Sequence, residues 1–178
     1  MELERVDKVT AGAVGEPGQR TFYIQARQGE RVVTILVEKE QIELLGTSIL
    51  EILAKVGLET GQGPSEDELG LESPLEALWR AGRLSIGYAE DRDLMVLEIE
   101  ELVEEDEERG LASSEPDQEP EPARVRLWAT REQMLALARH GAEVAARGRP
   151  RCRFCGNPID PEGHMCPAMN GHREIADR

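Results

Sequence analysis

The stretch R-T-F-Y-I-Q-A-R-Q-G-E-R-V-V-T-I-L-V-E, residues 20–38, decides the fold of the chain. Apolar and polar residues alternate over its first part, which predicts a strand with Phe22, Ile24 and Ala26 on one face. Its second part, Arg31–Glu38, is almost continuously apolar, as is typical of a central strand that is covered on both faces. The short connection Gln28-Gly29-Glu30 predicts that the two strands form a β-hairpin.

A helix is predicted directly after the hairpin, over Lys39–Val56, because apolar residues recur there at spacings of three and four. The same order of elements returns later in the chain. A short helix is predicted before this second set of elements, around Pro74–Arg80, because Ser73-Pro74 is a good helix start. The predicted strands are Arg83–Ala89, Leu94–Val103 and Arg124–Ala129, and the helix that follows them runs from about Arg131 to Arg147, with Thr130 and Gln133 as a capping box.

The two predicted helices begin with a similar pattern, K-E-Q-I-x-x-L at 39–45 and R-E-Q-M-x-x-L at 131–137. We therefore predict an α+β fold of two strand-strand-helix units with a mainly antiparallel sheet. In this interpretation the sheets pack together and the helices lie outside. The alternative to a true repeat is that so short a pattern recurs by chance. A further strand is predicted within Leu3–Val14.

The charge of the chain is large and unevenly distributed. The formal net charge is -15, which disfavours general binding to nucleic acid or to an anionic membrane surface. The acid is concentrated in the middle, so we predict a flexible acidic loop over 104–122 inside a core domain of residues 1–148. No signal peptide and no run of 18 apolar residues is visible, and the expected location is the cytoplasm.

Residues 149–178 hold all 3 cysteines of the chain, and we predict that they form a zinc-knuckle tail. The pair Cys152-x-x-Cys155, followed by Gly156, has the spacing at which two thiolates bind one ion. Cys166 is the third predicted ligand. The fourth is His164, which an extended chain would turn to the same side as Cys166, or alternatively His172.

Four protein ligands leave a zinc ion no open position for water, so the predicted zinc is structural and not catalytic. The sequence has no P-loop, no G-x-S-x-G and no G-x-G-x-x-G, and His140 is interpreted as a packing residue of the second helix. The chain is therefore expected not to be an enzyme. The leading hypothesis is a binding or adaptor protein whose partner is another protein.

Two other stretches offer alternatives to that hypothesis. Pro17-Gly18 predicts a type II turn. The chain could instead be an enzyme or a small-ligand binding protein that uses the loop and strand over 15–25, where four polar residues could bind a phosphate or carboxylate: Glu16, Gln19, Arg20 and Gln25. Arginines also stand at every second position from Arg147 to Arg153, and such a ridge could contact nucleic acid or pair with the acidic loop.

Two long stretches carry a resemblance to a known family. They are A-G-A-V-G-E-P-G-Q-R-T-F-Y-I-Q-A (11–26) and C-R-F-C-G-N-P-I-D-P-E-G-H-M-C-P-A-M-N-G (152–171). Together they resemble the two ends of the uncharacterised bacterial proteins grouped as domain of unknown function 3090. The resemblance implies no activity, since none is established for the family. It implies that His164, within a shared G-H-x-C-P segment, is the fourth ligand, while Ala168 departs from the Arg expected in relatives.

Overall fold

The computed structural model describes residues 1–103, 121–148, 152–157, 159, 163–169 and 173–174. These residues form an α+β fold with a seven-stranded mixed sheet and two α-helices. The elements are β1 (Glu2–Leu3), β2 (Lys8–Val14), β3 (Thr21–Gln28), β4 (Arg31–Val37), α1 (Lys39–Val56), β5 (Ala77–Ala89), β6 (Leu94–Glu101), β7 (Arg124–Ala129) and α2 (Arg131–Ala146), then a small hairpin of β8 (His164–Met165) and β9 (Arg173–Glu174). Short 3-10 helices lie at Glu66–Leu69 and Pro167–Met169.

The predicted hairpin, both predicted helices and the capping box at Thr130 are confirmed. The short helix predicted around Pro74–Arg80 is wrong, because Ala77–Arg80 forms the start of β5 and pairs in parallel with β4. Tertiary pairing with the exposed edge of β4 here overrides the local helical preference. The predicted strand within Leu3–Val14 is split into β1 and β2. The predicted acidic loop lies outside the described residues over 104–120.

One continuous sheet replaces the two packed sheets of the sequence-based expectation, because β4 pairs with β5. The strand order is β1-β7-β6-β5-β4-β3-β2, so the strands at the two ends of the sheet are consecutive in the chain. Residues 4–7 join these ends. The Val6 amide donates to the Trp128 carbonyl at 2.9 Å, and the next amide, that of Asp7, donates to the Arg27 carbonyl at 2.8 Å.

The two halves of the chain have the same strand register. Counting back from the residues that cap α1 and α2, Glu38 and Thr130, the cross-strand rows of β2-β3-β4 coincide with those of β5-β6-β7. The matched rows are Gly12–Tyr23–Leu36 with Gly87–Val96–Trp128, and Thr10–Gln25–Thr34 with Ser85–Glu98–Arg126.

The inward faces of both halves form one hydrophobic core together with the apolar stripes of the helices. The core reaches from Leu3 and Ile24 in the first strands to Leu127 in β7 and Met134 in α2. Glycine allows the two helices to approach closely, since a Cβ on Gly141 would lie 2.9 Å from Ile42 Cγ2. The outward faces of the two halves differ.

The outward face of β2-β3-β4 is covered by residues 69–72, which we call the strap. Leu71 lies directly over Gly12, where a Cβ would stand 2.5 Å from Leu71 Cγ. Thr10 Oγ1 donates to the Leu69 carbonyl, and Lys8 Nζ donates to the Gly70 carbonyl at 2.6 Å. The strap leads on towards β5, which then pairs with β4.

Candidate metal centre

The first two cysteines of the tail lie on a tight turn that directs one backbone amide at sulfur. The Gly156 amide donates to the Cys152 carbonyl at 2.8 Å, and the Phe154 amide donates to Cys152 Sγ at 3.4 Å. Gly156 has φ of +74°, a conformation that a side chain would strain. The C-x-x-C-G pattern therefore folds as the sequence predicts, because glycine is placed where the turn requires a positive φ.

His164 and Cys166 return to this turn from the β8 hairpin. Gly163, with φ of +84°, turns the chain just before β8. His164 Nε2 lies 3.3 Å from Cys155 Sγ, and Cys166 Sγ lies 3.7 Å from Cys152 Sγ. All four donor atoms lie within 4.8 Å of one another, so this Cys3His group can hold a metal ion.

The separation of two of the sulfurs matches tetrahedral coordination of one ion. With metal–sulfur bonds of about 2.3 Å, two thiolates on a tetrahedron are about 3.8 Å apart. The sulfurs of Cys152 and Cys166 match that value, and both cysteines are buried, with 2% and 0% of their surface exposed. His164 Nδ1 is also buried and has no hydrogen-bond partner within the described residues, while Nε2 is the ring nitrogen directed at sulfur.

The tail has a small buried cluster of its own, separate from the main core. It consists of Cys152, Ile159 and Cys166, with Cys155 packed against it. Three buried side chains remove little apolar surface from water, so an ion shared by the thiolates would be the main source of local stability. His172, the alternative ligand, lies outside the described residues.

The turn beside the other predicted site is confirmed. Gly18 has φ of +95° and the Gln19 amide donates to the Glu16 carbonyl at 2.9 Å, as a Pro-Gly type II turn requires. Glu16 and Gln19 are exposed on this turn. Arg20 is directed at α2, where its Nη1 donates to the Val144 carbonyl at 3.1 Å.

Gln25, which the sequence suggested as a small-ligand residue, is buried beneath the strap. It is 2% exposed and its amide is engaged by the strap and by β4. Nε2 donates to the Glu72 carbonyl at 2.9 Å and to Thr34 Oγ1 at 3.0 Å, while Oε1 accepts from the Glu72 amide at 2.7 Å. Alternation along β3 predicted its face correctly, but the residue that covers that face is 47 positions away.

The structure describes the arginine ridge only in part. Arg147 pairs with Glu143 at 3.6 Å, and the Arg153 guanidinium stacks on the Phe154 ring at 4.7 Å. Arg149 and Arg151 lie outside the described residues. His140 is half-buried on α2; burial, and then the charge of Arg147, hold the pKa of its ring below the ordinary value.

The comparison with known proteins identifies a family and no function. The model of a family described as "Protein of unknown function (DUF3090)" matches residues 1–166, which confirms the resemblance carried by the two ends of the chain. No curated protein and no solved structure matches the chain. Neither helix of the described residues is long and apolar enough to cross a membrane.

Proposed function

Because the chain belongs to this family of proteins of unknown function, we propose from its own residues that it is a non-catalytic adaptor protein whose tail is built on a structural zinc ion. The single observation that carries the proposal is the Cys3His group, whose four donor atoms lie within 4.8 Å of one another. The partner of such an adaptor is expected to be another protein, and its expected location is the cytoplasm.

The donor set supports zinc over other common ions. Three thiolates and one imidazole are soft to borderline ligands, which suit zinc and disfavour magnesium or calcium, whose ligands are oxygens. Four protein donors complete a tetrahedron and leave no position for a substrate or a reactive water. The ion would therefore stabilise the tail and supply no chemistry to a reaction.

The proposed experiment is the metal content of the purified full chain, measured for the wild type and for Cys155→Ser. We expect about one zinc per chain in the wild type. We expect the variant to lose most of it while far-UV circular dichroism shows the sheet and helices intact. Cys155 lies outside the main core, so its replacement does not remove core packing.

The chain also offers a matched pair of histidine variants. His164→Ala is expected to lose zinc, whereas His172→Ala is expected to retain it, since His164 Nε2 lies 3.3 Å from Cys155 Sγ. Wild-type protein purified under reducing conditions without any bound metal would overturn the proposal. Loss of zinc in His172→Ala but not in His164→Ala would overturn the ligand assignment alone.

A further inference from the structure

We propose that the outward face of β5-β6-β7 binds an extended acidic segment of a partner protein, with one leucine-sized side chain seated over Gly87. We call this surface the β5–β7 groove; it has a volume of about 350 Å³, and its lining includes Ser85, Gly87, Val96, Glu98, Arg126 and Trp128. The inference deepens the proposed adaptor function, because it names the surface and the kind of segment that an adaptor would use.

The β5–β7 groove is the counterpart of the face that the strap covers. Gly87 has the register position of Gly12, and Ser85 that of Thr10. Gly12 is buried under Leu71, whereas among the described residues a Cβ on Gly87 would meet only Val96 Cγ1, at 3.6 Å. The chain itself thus demonstrates, in its first half, what this register of strands binds: an extended segment with a leucine over the glycine.

The floor of the groove is suited to an apolar side chain. Gly87, Val96 and Trp128 form one cross-strand row, and the absence of a side chain on Gly87 leaves a depression beside the other two. In the covered half, the row Gly12–Tyr23–Leu36 has the same form and receives Leu71. A leucine-sized side chain would therefore bury both its own surface and that of Val96 and Trp128.

Polar groups beside the floor can bind the backbone of such a segment. In the covered half, the Gln25 amide both donates to and accepts from the backbone of Glu72. The corresponding pair here is Glu98 and Arg126, joined at 2.6 Å, whose side chains are 22% and 42% exposed. The hydrogen bond from Arg126 holds the pKa of Glu98 below its ordinary value, so the carboxylate can accept a backbone N–H while the guanidinium donates to a carbonyl.

Charge favours an acidic segment. Arg83 has the register position of Lys8, which in the covered half pairs with Glu72 of the strap at 3.2 Å. Arg92 lies over the Trp128 ring at 4.6 Å. Neither Arg83 nor Arg92 has a carboxylate within 4.0 Å among the described residues, although the chain as a whole carries a net charge of -15.

A peptide is a better occupant than single-stranded nucleic acid. The phosphate backbone of nucleic acid has acceptors but no N–H donors, so it could pair with Arg126 but could not use the Glu98 carboxylate beside it. A peptide backbone instead needs both donors and acceptors, and the groove offers both.

The test uses the full chain and a fluorescent synthetic peptide with the sequence of the strap region, S-E-D-E-L-G-L-E-S (65–73). Fluorescence anisotropy is expected to show saturable binding to the wild type. A peptide in which Asp replaces the leucine of position 71 is expected to bind about tenfold more weakly, since that leucine is the expected anchor.

Three protein variants locate the binding site. Gly87→Leu fills the depression and Arg83→Glu reverses the charge, and each is expected to weaken binding about tenfold. Arg31→Glu is the matched control, because Arg31 is an exposed arginine on β4; it is expected to bind as the wild type does. Urea unfolding of each variant checks that the fold is retained.

Several outcomes would overturn the proposal. The first is the absence of saturable binding up to about 1 mM peptide. The second is binding that Gly87→Leu leaves unchanged, which would place the peptide on the strap's own site. The third is tighter binding of a single-stranded oligonucleotide, if that binding depends on Gly87. Zinc is measured on the same protein, so a full zinc content with failed peptide binding would reject the groove and leave the structural zinc proposal standing.

Discussion

Gln25 shows how one side chain can hold a distant segment in place. Its amide makes two hydrogen bonds to the backbone of Glu72 and one to Thr34, in a layer that is closed to water. Gln25→Ala would leave these buried groups without partners, so we expect the free energy of unfolding to fall by about 1–3 kcal/mol. Urea unfolding followed by circular dichroism measures the change.

Gln19→Ala is the control for that substitution. Gln19 lies exposed on the turn before β3, and its replacement is expected to change the free energy of unfolding by less than about 0.5 kcal/mol. Equal effects of the two substitutions would show that the strap is not held by Gln25.

Glu72 gives the strap a dependence on pH. Burial alone would raise the pKa of Glu72, but the hydrogen bond and charge of Lys8, followed by those of Arg27, outweigh it and place the pKa below the ordinary value. A carboxyl group whose pKa is lower in the folded state stabilises the fold at pH values above its unfolded-state pKa of about 4.3. This stabilisation is lost as the pH falls through the folded-state pKa.

Glu72→Gln is therefore expected to be less stable than the wild type at neutral pH and equally stable in acid. The measurement is urea unfolding of both proteins between about pH 7 and pH 3, the range that brackets the ordinary pKa. Glu16→Gln, on the exposed turn, is the matched carboxyl-to-amide control and is measured in the same way. A gap for Glu72→Gln that stays constant would contradict the role of its charge.

At the scale of elements, Gln41 and Gln133 perform the same task in the two halves. Gln41 accepts from the amide that precedes α1 at 2.8 Å and donates to the carbonyls of Ala81 and Gly82. Gln133 accepts from the amide that precedes α2 at 2.9 Å and donates to the carbonyls of Val6 and Asp7. Each glutamine therefore ties the start of a helix to a segment beside the last strand of its unit.

We expect Gln41→Ala and Gln133→Ala each to lower the free energy of unfolding by about 1–3 kcal/mol, because each removes three hydrogen bonds, two of which are partly buried. Gln62→Ala, at an exposed position, is the control and is expected to have little effect. A near-neutral result for only one of the two glutamines would show that the halves are not equivalent in energy.

Helices and strands could be predicted from sequence where the local periodicity of apolar residues determines them. The bounds of α1 and β7 follow from the apolar stripe and from the alternation that the sequence displays. The segment at Ala77–Arg80 could not be predicted in this way, because its conformation depends on the edge of β4, more than 40 positions away. The shared K-E-Q and R-E-Q patterns predicted a repeat, but not that Gln41 reaches β5 or that Gln133 reaches the join between β1 and β2.

At the scale of the molecule, the tail and the core are expected to respond separately to removal of the metal. The buried cluster around Cys152 and Cys166 is distinct from the core that both halves share. A chelator is therefore expected to speed tryptic cleavage after Arg153 and to leave the thermal unfolding of the sheet and helices unchanged. A lower unfolding temperature of the whole chain would show that the tail supports the core.

The Cys3His group could be predicted from sequence because its four residues lie within 15 positions, where spacing alone limits the geometry. The β5–β7 groove could not, since Gly87 and Trp128 meet only through the pairing of three strands. The burial of Gln25 could not be predicted for the same reason. Its face of β3 was evident from alternation, but the strap that covers the face comes from the connection between α1 and β5.

The join between the two ends of the sheet also sets an order of events during synthesis. The amino group of Met1 donates to the Arg124 carbonyl, 123 positions away, and β1 pairs with β7. A chain emerging from the ribosome has to extend β1 long before its partner exists, so this pairing is among the last to form. Until then β1 has no partner strand. A nascent chain that stalls before Arg124 lacks β7, so it would present the unpaired edge of β6 to neighbouring chains.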